Sequence, residues 1–247
     1  MNASFEMAVV EAGGEQLPCV FRGPPDGIPL LILPPLFEEM NRTRRLIALT
    51  TARLAMMGVR SCLPDLPGTG DHEDGPDAMD WSRWRAALAA LSATLSSEAG
   101  GTPHLFAVRG GALLADAAPG HSLYRLAPPA NGVKPLRDLF RARAAADREA
   151  GARTTVATLE ALSEAGDTIE AAGYAIGPAL AAALRSAPLL APDIPTRTVA
   201  TAPGPNIDAV MEGAPVWRQA DPVDTAPMAH ALAHDLAEWI ERCEQSG

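Results

Sequence analysis

The stretch His104-Leu-Phe-Ala-Val-Arg-Gly-Gly-Ala-Leu-Leu-Ala115 joins an apolar run to a glycine pair and then to a second apolar run. Its first five residues are typical of a short buried strand, and residues 110–118 favour a short helix. A sharp strand-to-helix turn needs small residues two positions before and two positions after its tip, and Ala107 and Gly111 meet that need. The stretch therefore predicts a strand, a sharp turn and a helix, with Arg109 at the tip.

Strands and helices alternate on both sides of this turn. Helices are predicted after Asn41 and Asp80, which are good N-cap residues, and over residues 229–243. Strands that alternate with helices form a mostly parallel sheet with helices on both faces, so we predict an α/β fold. The other strands are predicted at residues 5–10, 17–21, 29–33, 59–63, 123–127, 197–202 and 215–218.

The alternation breaks between about residue 130 and residue 190. This stretch is rich in Ala and Arg and has a mostly helical pattern, with no strand predicted before Tyr174–Ile176. It lies between two late strands, where an insertion would sit. We interpret it as a helical cap inserted into one domain that spans residues 1–247.

Composition and charge exclude several classes of function. The chain has 247 residues, is 47% hydrophobic and carries a formal net charge of −10, which argues against general binding to nucleic acids or anionic membranes. A local basic pocket remains compatible with this charge. The three cysteines are far apart, and we find no signal peptide and no apolar run of membrane-spanning length. We therefore expect a soluble, cytoplasmic protein.

The residue at the tip of the turn is unusual. Such a turn normally carries a serine nucleophile in the pattern G-x-S-x-G, whereas here the tip is Arg109. A guanidinium stays protonated and offers only hydrogen-bond donors, so it cannot attack an acyl carbon. The alternative interpretation is an ordinary strand-to-helix turn with an arginine on the surface.

The other members of a Ser-His-Asp triad are hard to assign. Asp208 follows a late predicted strand and is the candidate acid, but no histidine follows the last predicted strand. His230 and His234 lie one turn apart on the final helix without an H-E-x-x-H pattern, so we interpret them as a solvated face and predict no metal site. The substitute nucleophiles are Ser122, Cys19 and Cys62. None of these three lies at a turn of the required kind, so the catalytic residues stay unassigned.

One further segment carries a resemblance. The segment Leu33-Pro-Pro-Leu-Phe-Glu-Glu-Met-Asn-Arg-Thr-Arg-Arg45 resembles the P-P-F-x-E-E-M-N-x-x-R-R signature of the exosortase A system-associated hydrolase 2 proteins, with Leu36 where that group tends to carry Phe. Residues 104–115 and 164–179 are similar to the same group. Its members belong to the α/β-hydrolase superfamily and are found beside exopolysaccharide and exosortase genes in proteobacteria. The resemblance implies an α/β-hydrolase fold in which an arginine at the elbow is usual.

Ligands of open α/β sheets bind outside the carboxyl ends of the strands. A cation at a helix N-terminus is disfavoured by about 0.3–1 kcal/mol, so we predict that Arg109 has a carboxylate partner or binds an anion. Three arginines between residues 42 and 45 add positive charge nearby. The predicted ligand-binding residues are Arg109, Glu38, Glu39, Asn41 and Asp65. The open alternative is a local network of salt bridges.

Three hypotheses of function follow. The first is a protein with a degenerate active site that binds a small-molecule or anionic ligand, as an accessory of exopolysaccharide or exosortase systems. The second is a hydrolase or transferase that acts on an acyl or glycan-linked substrate through non-standard residues. The third is an oligomer or scaffold built through residues 130–190. No cofactor is expected, because the chain has neither a G-x-G-x-x-G nor a Walker-type pattern.

Overall fold

The computed structural model describes residues 5–190, 192–219 and 223–246. Within those ranges the strands are β1 (Phe5–Ala12), β2 (Glu15–Arg22), β3 (Ile28–Leu33), β4 (Val59–Pro64), β5 (His104–Val108), β6 (Leu123–Leu126), β7 (Ile169–Ala171), β8 (Tyr174–Ile176), β9 (Thr196–Ala200) and β10 (Ala209–Val210). The α-helices are α1 (Glu38–Met56), α2 (Trp81–Ala99), α3 (Val133–Glu149), α4 (Val156–Glu164), α5 (Pro178–Ser186) and α6 (Ala226–Glu244).

Eight strands form one sheet in the order β1-β2-β4-β3-β5-β6-β9-β10. Only the pairs β1–β2 and β2–β4 are antiparallel in the described sheet, and the pairs from β4 to β10 are all parallel. The prediction of a mostly parallel sheet is therefore confirmed. Because β3, β5 and β6 run in the same direction, the turns that follow them meet at one edge of the sheet.

Helices cover both faces of the sheet. On one face Ile32 of β3 packs in an apolar cluster with Leu46 of α1 and Leu236 of α6. On the other face Leu33 lies in a cluster with Trp84 of α2 and with apolar residues of α3, α4 and α5. Successive residues of β3 thus face opposite sides, which is why this strand is apolar throughout.

Local sequence signals explain some helix ends and fail at others. Asp80 caps α2 as predicted, because its carboxylate accepts a hydrogen bond of 2.8 Å from the backbone N of Arg83. The predicted Asn41 cap is wrong, since α1 begins three residues earlier at Glu38. Phe37 precedes it with a φ of 57°, and this turn brings the chain into the helix directly after β3.

Two further predictions are corrected near the sheet edge. The helix predicted over residues 110–118 is a 3-10 helix at Arg109–Leu114, which begins at the tip of the turn. The strand predicted at residues 215–218 is a 3-10 helix at Val216–Arg218. The place beside β9 is taken by β10, so residues 215–218 do not pair with β9.

Residues 130–190 run between β6 and β9. They hold the helices α3, α4 and α5, and the hairpin of β7 and β8 lies between α4 and α5. The predicted helical pattern and the strand at Tyr174–Ile176 are confirmed, whereas β7 was missed because three residues are too short to show a periodicity. In the described ranges no helix is both long enough and apolar enough to span a bilayer.

Candidate functional site

The turn after β5 has the geometry of a nucleophile elbow. Arg109 follows Val108 with a φ of 51°, in the left-handed region that disfavours residues with a Cβ by about 1–3 kcal/mol. A Cβ on Gly111 would lie 2.3 Å from the carbonyl oxygen of Leu33, so only glycine fits where the turn passes the end of β3. The structure therefore confirms that Arg109 stands at the tip of a strained turn after the fifth strand.

Glu39 is the acidic partner of this arginine. The Nε and Nη2 atoms of Arg109 donate to Oε1 of Glu39 at 3.0 Å and 2.7 Å. The two side chains are only 7% and 14% exposed, so the pair is largely shielded from solvent. The predicted carboxylate partner is thus confirmed as Glu39. Glu38 instead accepts hydrogen bonds from Asn41 and Arg42.

The second oxygen of Glu39 reaches the backbone of the elbow. The backbone N of Gly110 donates to Oε2 of Glu39 at 3.3 Å. In a working elbow, the N–H of the residue after the nucleophile helps to bind the negatively charged oxygen of the transition state. Here that donor is already taken by a carboxylate of the chain itself.

Two more contacts hold the guanidinium in place. Nη1 of Arg109 donates to the carbonyl oxygen of Ala127, which follows β6 with a φ of 46°. The Cζ atom of Arg109 lies 4.9 Å from the ring centroid of Trp217, a cation–π contact. Three residues at the carboxyl edge of the sheet have a positive φ, namely Phe37, Arg109 and Ala127. Strained backbone of this kind clusters at functional sites.

A cavity of about 620 Å³ opens beside this ion pair, between α1, α3 and the 3-10 helix at Val216–Arg218. We call it the Arg109 pocket. Its cationic side chains are Arg42, Arg109, Lys134, Arg141 and Arg218, and its carboxylates are Glu38, Glu39 and Asp138. The lining is thus net positive by two charges, although the whole chain carries −10. Such a pocket favours an anionic ligand over a neutral or cationic one.

Solved structures with the same architecture exist. Epoxide hydrolase I of potato (Solanum tuberosum) aligns with a TM-score of 0.58 at 15% identity, over 97% of this chain and 100% of that chain. A thioesterase domain from the curacin biosynthetic pathway aligns with a TM-score of 0.53 at 15% identity, over 95% and 99%. The chain has an α/β-hydrolase fold.

A further structural alignment is only partial, and the sequence comparisons find no match. An alignment with the epoxide hydrolase VrEH1 of Vigna radiata has a TM-score of 0.39 at 23% identity and covers 49% of this chain, which spans only 38% of the length of that one. No protein-family model and no curated protein matches the chain. At these identities the likeness shows the α/β-hydrolase fold alone.

Two of the predicted site residues lie apart from Arg109. Asn41 and Asp65 line a neighbouring cavity of about 70 Å³, which shares Leu36 and Phe37 with the Arg109 pocket. Asp65 accepts a hydrogen bond of 2.9 Å from the backbone N of Asp71, and burial raises the pKa of its carboxyl group. The structure therefore brings Glu38 and Glu39 to the Arg109 pocket. Asn41 only hydrogen-bonds to Glu38, and Asp65 lines the neighbouring cavity.

The residues considered for a catalytic triad do not meet at this elbow. Oδ2 of Asp208 accepts a hydrogen bond of 2.7 Å from the backbone N of Thr198, inside β9 rather than beyond its carboxyl end. His230 and His234 are exposed, as expected for a solvated face, with ring centroids 4.6 Å apart. All five histidines of the chain are described, and none lines the Arg109 pocket. The described residues contain no cluster of three or more metal-ligating side chains.

A hydrogen-bonded Ser-His-Glu array does occur, at the opposite edge of the sheet. Oγ of Ser122 lies 2.7 Å from Nδ1 of His104, and Nε2 of His104 lies 3.0 Å from Oε1 of Glu244. Ser122 has no exposed surface, so no substrate can reach its hydroxyl. The other substitute nucleophiles are also buried, and burial raises the pKa of the Cys62 thiol well above its usual range. None of them is placed as a nucleophile.

Several residues of the pocket were not found from the sequence. Lys134, Asp138 and Arg141 come from α3, and Asp138 accepts from both cations at 2.5 Å and 2.7 Å. Trp217 lies more than a hundred residues after the elbow, in a stretch predicted as a strand. The spacing of Lys134, Asp138 and Arg141 on one helix face was the only available signal, and it did not indicate which pocket they face.

Proposed function

We propose that this chain is a non-catalytic protein with an α/β-hydrolase fold that binds an anionic small molecule in the Arg109 pocket. One observation carries the proposal. The carboxylate of Glu39 engages both the guanidinium of Arg109 and the backbone N of Gly110, so the place for a reacting carbonyl oxygen is filled by the protein. Among the described residues that line the pocket there is no side-chain hydroxyl and no imidazole.

The charge of the pocket supports an anionic ligand. Asp138 neutralises part of the charge of Lys134 and Arg141, and Glu39 neutralises Arg109. Arg218 is exposed, lines the pocket and has no side-chain partner among the described residues. We propose that residues 130–190 act as a cap, because α3 forms one wall of the pocket. Arg218 is then a free donor for a phosphate or carboxylate that enters under the cap.

The proposal extends to the setting in which the protein works. We place it as an accessory of exopolysaccharide or exosortase systems, and this rests on the resemblance of residues 33–45 alone. A host strain that lacks the gene is expected to show altered exopolysaccharide output, which the wild-type gene restores. Unchanged output would contradict this setting and leave the binding function untouched.

Binding is tested directly with inorganic phosphate as the probe, by isothermal titration calorimetry. We expect the wild-type chain to bind phosphate, and Arg218→Ala to weaken binding by about tenfold through loss of a charge-assisted hydrogen bond. Arg153→Ala is the matched control, because Arg153 is exposed and does not line the pocket. No phosphate binding, or equal losses in the two variants, would contradict the proposal.

A further inference from the structure

We infer that Glu39 is a built-in competitor of the ligand: its carboxylate holds the place of a carboxylate or phosphate group, and the ligand binds by displacing it. The inference rests on the proposed anion-binding function and adds the regulation of the same site. It also narrows the ligand, because only an oxyanion with at least two acceptor oxygens reproduces what Glu39 does.

The donors that hold Glu39 form a ready-made oxyanion receptor. Nε and Nη2 of Arg109 and the backbone N of Gly110 all point at one carboxylate, at 3.0, 2.7 and 3.3 Å. The planar fork of a guanidinium matches a carboxylate or a phosphate equally well. The donor set therefore selects for oxyanions in general and does not require a glutamate.

The receptor does not depend on Glu39 for its shape. Arg109 is also held by the carbonyl oxygen of Ala127 and by the ring of Trp217, and the strained elbow fixes its backbone. Gly110 is the second residue of the 3-10 helix at Arg109–Leu114. The backbone of this helix is packed against the end of β3 at Gly111. These contacts remain when the carboxylate leaves, so the arriving anion finds the same donors in place.

The same pocket offers a displaced Glu39 side chain another cationic partner. Its side chain lines the open pocket, and it belongs to the first turn of α1, where three residues later Arg42 lines the same pocket. The ion pair of Arg42 with Glu38 is long, 3.5 Å, and both side chains are more than a third exposed, so this pair is weak. A displaced Glu39 can pair with Arg42, at helix spacing i, i+3, while the ligand neutralises Arg109.

Competition of this kind lowers the apparent affinity. A ligand binds only the fraction of molecules in which the receptor is open, so its apparent Kd rises in proportion as Glu39 occupies the site. Removing the negative charge of Glu39 while keeping its shape removes the competitor. It also leaves the shielded guanidinium of Arg109 without the carboxylate that contacts it, so an external anion gains a counter-charge role there.

The test compares Glu39→Gln with Glu164→Gln, a control that makes the same change at an exposed glutamate outside the Arg109 pocket. Each protein is titrated with inorganic phosphate by calorimetry and melted with and without phosphate. We expect Glu39→Gln to bind at least about tenfold tighter than wild type, and Glu164→Gln to stay within about twofold. Phosphate should raise the Tm of Glu39→Gln more than that of wild type.

The outcomes separate this inference from the proposed function. If wild type binds phosphate and Glu39→Gln binds no tighter, Glu39 is a structural partner only and the inference is overturned, while anion binding stands. If no protein binds phosphate, the proposed function fails, and the inference with it.

A second variant covers the case in which Glu39→Gln does not fold. Glu39→Asp keeps the charge but is one methylene shorter, so it should hold the donors less well and bind phosphate tighter than wild type by a smaller factor. An unchanged affinity in Glu39→Asp would overturn the inference.

Discussion

The two edges of the parallel sheet each carry some of the features that a hydrolase site needs, and the features differ between the edges. The carboxyl edge has the strained elbow, the oxyanion donor and an open pocket, but its tip is an arginine paired with Glu39. The amino edge has a serine, a histidine and a glutamate in hydrogen-bonding order, but Ser122 is fully buried and no elbow presents it. Within the described ranges, the carboxyl edge therefore has the elbow and the open pocket without a serine or histidine lining it. The amino edge has the serine and the histidine without an elbow or an open pocket beside them.

This difference shows that residue types alone do not identify a site. A nucleophile needs access, a base within reach and donors aimed at the developing charge. At the amino edge the array ties the start of β5 and the residue before β6 to the end of α6, which is a structural task. At the carboxyl edge we propose that the same fold binds a ligand instead.

The largest expected effect is on stability at the carboxyl edge. Arg109→Ala removes one member of a shielded ion pair and leaves Glu39 uncompensated, so we expect the free energy of unfolding to fall by about 3–5 kcal/mol. Arg42→Ala is the control, because its ion pair is exposed and should contribute at most about 1 kcal/mol. Urea denaturation measures both. Equal losses would mean that the Arg109 pair is no more than a surface contact.

At the amino edge the expected effect is smaller and depends on pH. Burial lowers the pKa of His104, against the opposite influence of Glu244. An unfolded histidine titrates near about 6.5, so below that pH the unfolded chain takes up a proton that folded His104 does not. The stability that neutral His104 contributes is therefore present above about pH 6.5 and is lost as the pH falls towards the lowered pKa, by at most about 1.4 kcal/mol per pH unit.

His104→Gln isolates this contribution, because glutamine does not titrate. Urea denaturation at several values from about pH 7.5 to about pH 5.5 should show a shallower loss of stability in His104→Gln than in wild type. The two proteins differ at this one residue, so the difference between their pH profiles reports on His104. Parallel pH profiles would show that His104 is not held neutral by the fold.

The elbow was predictable because its requirements are local. Ala107 and Gly111 have the sizes that a sharp turn demands, and Gly111 is indeed pressed against the carbonyl oxygen of Leu33. The need of Arg109 for a carboxylate followed from elementary electrostatics. The choice of Glu39 over Glu38 and Asp65 did not, because it depends on where α1 begins, and the left-handed turn at Phe37 sets that start.

The rest of the pocket depends on long-range packing. Ala127 and Trp217 contact Arg109 from the end of β6 and from a 3-10 helix beyond β10, and Lys134 lines the pocket from α3. No periodicity or spacing in the sequence links positions so far apart. The same limit explains why Asp65 was grouped with Arg109: both follow parallel strands, but β3 lies between β4 and β5, and their side chains line different cavities.

The most direct test of a non-catalytic elbow is to restore its usual residue. Arg109→Ser places a hydroxyl at the tip, but none of the five histidines lines the pocket to accept its proton. Esterase turnover is measured on a p-nitrophenyl ester, together with labelling by a fluorophosphonate probe. We predict that Arg109→Ser, like wild type, shows neither turnover above background nor stoichiometric labelling. Turnover, or labelling of one serine that is lost on unfolding, would contradict the account.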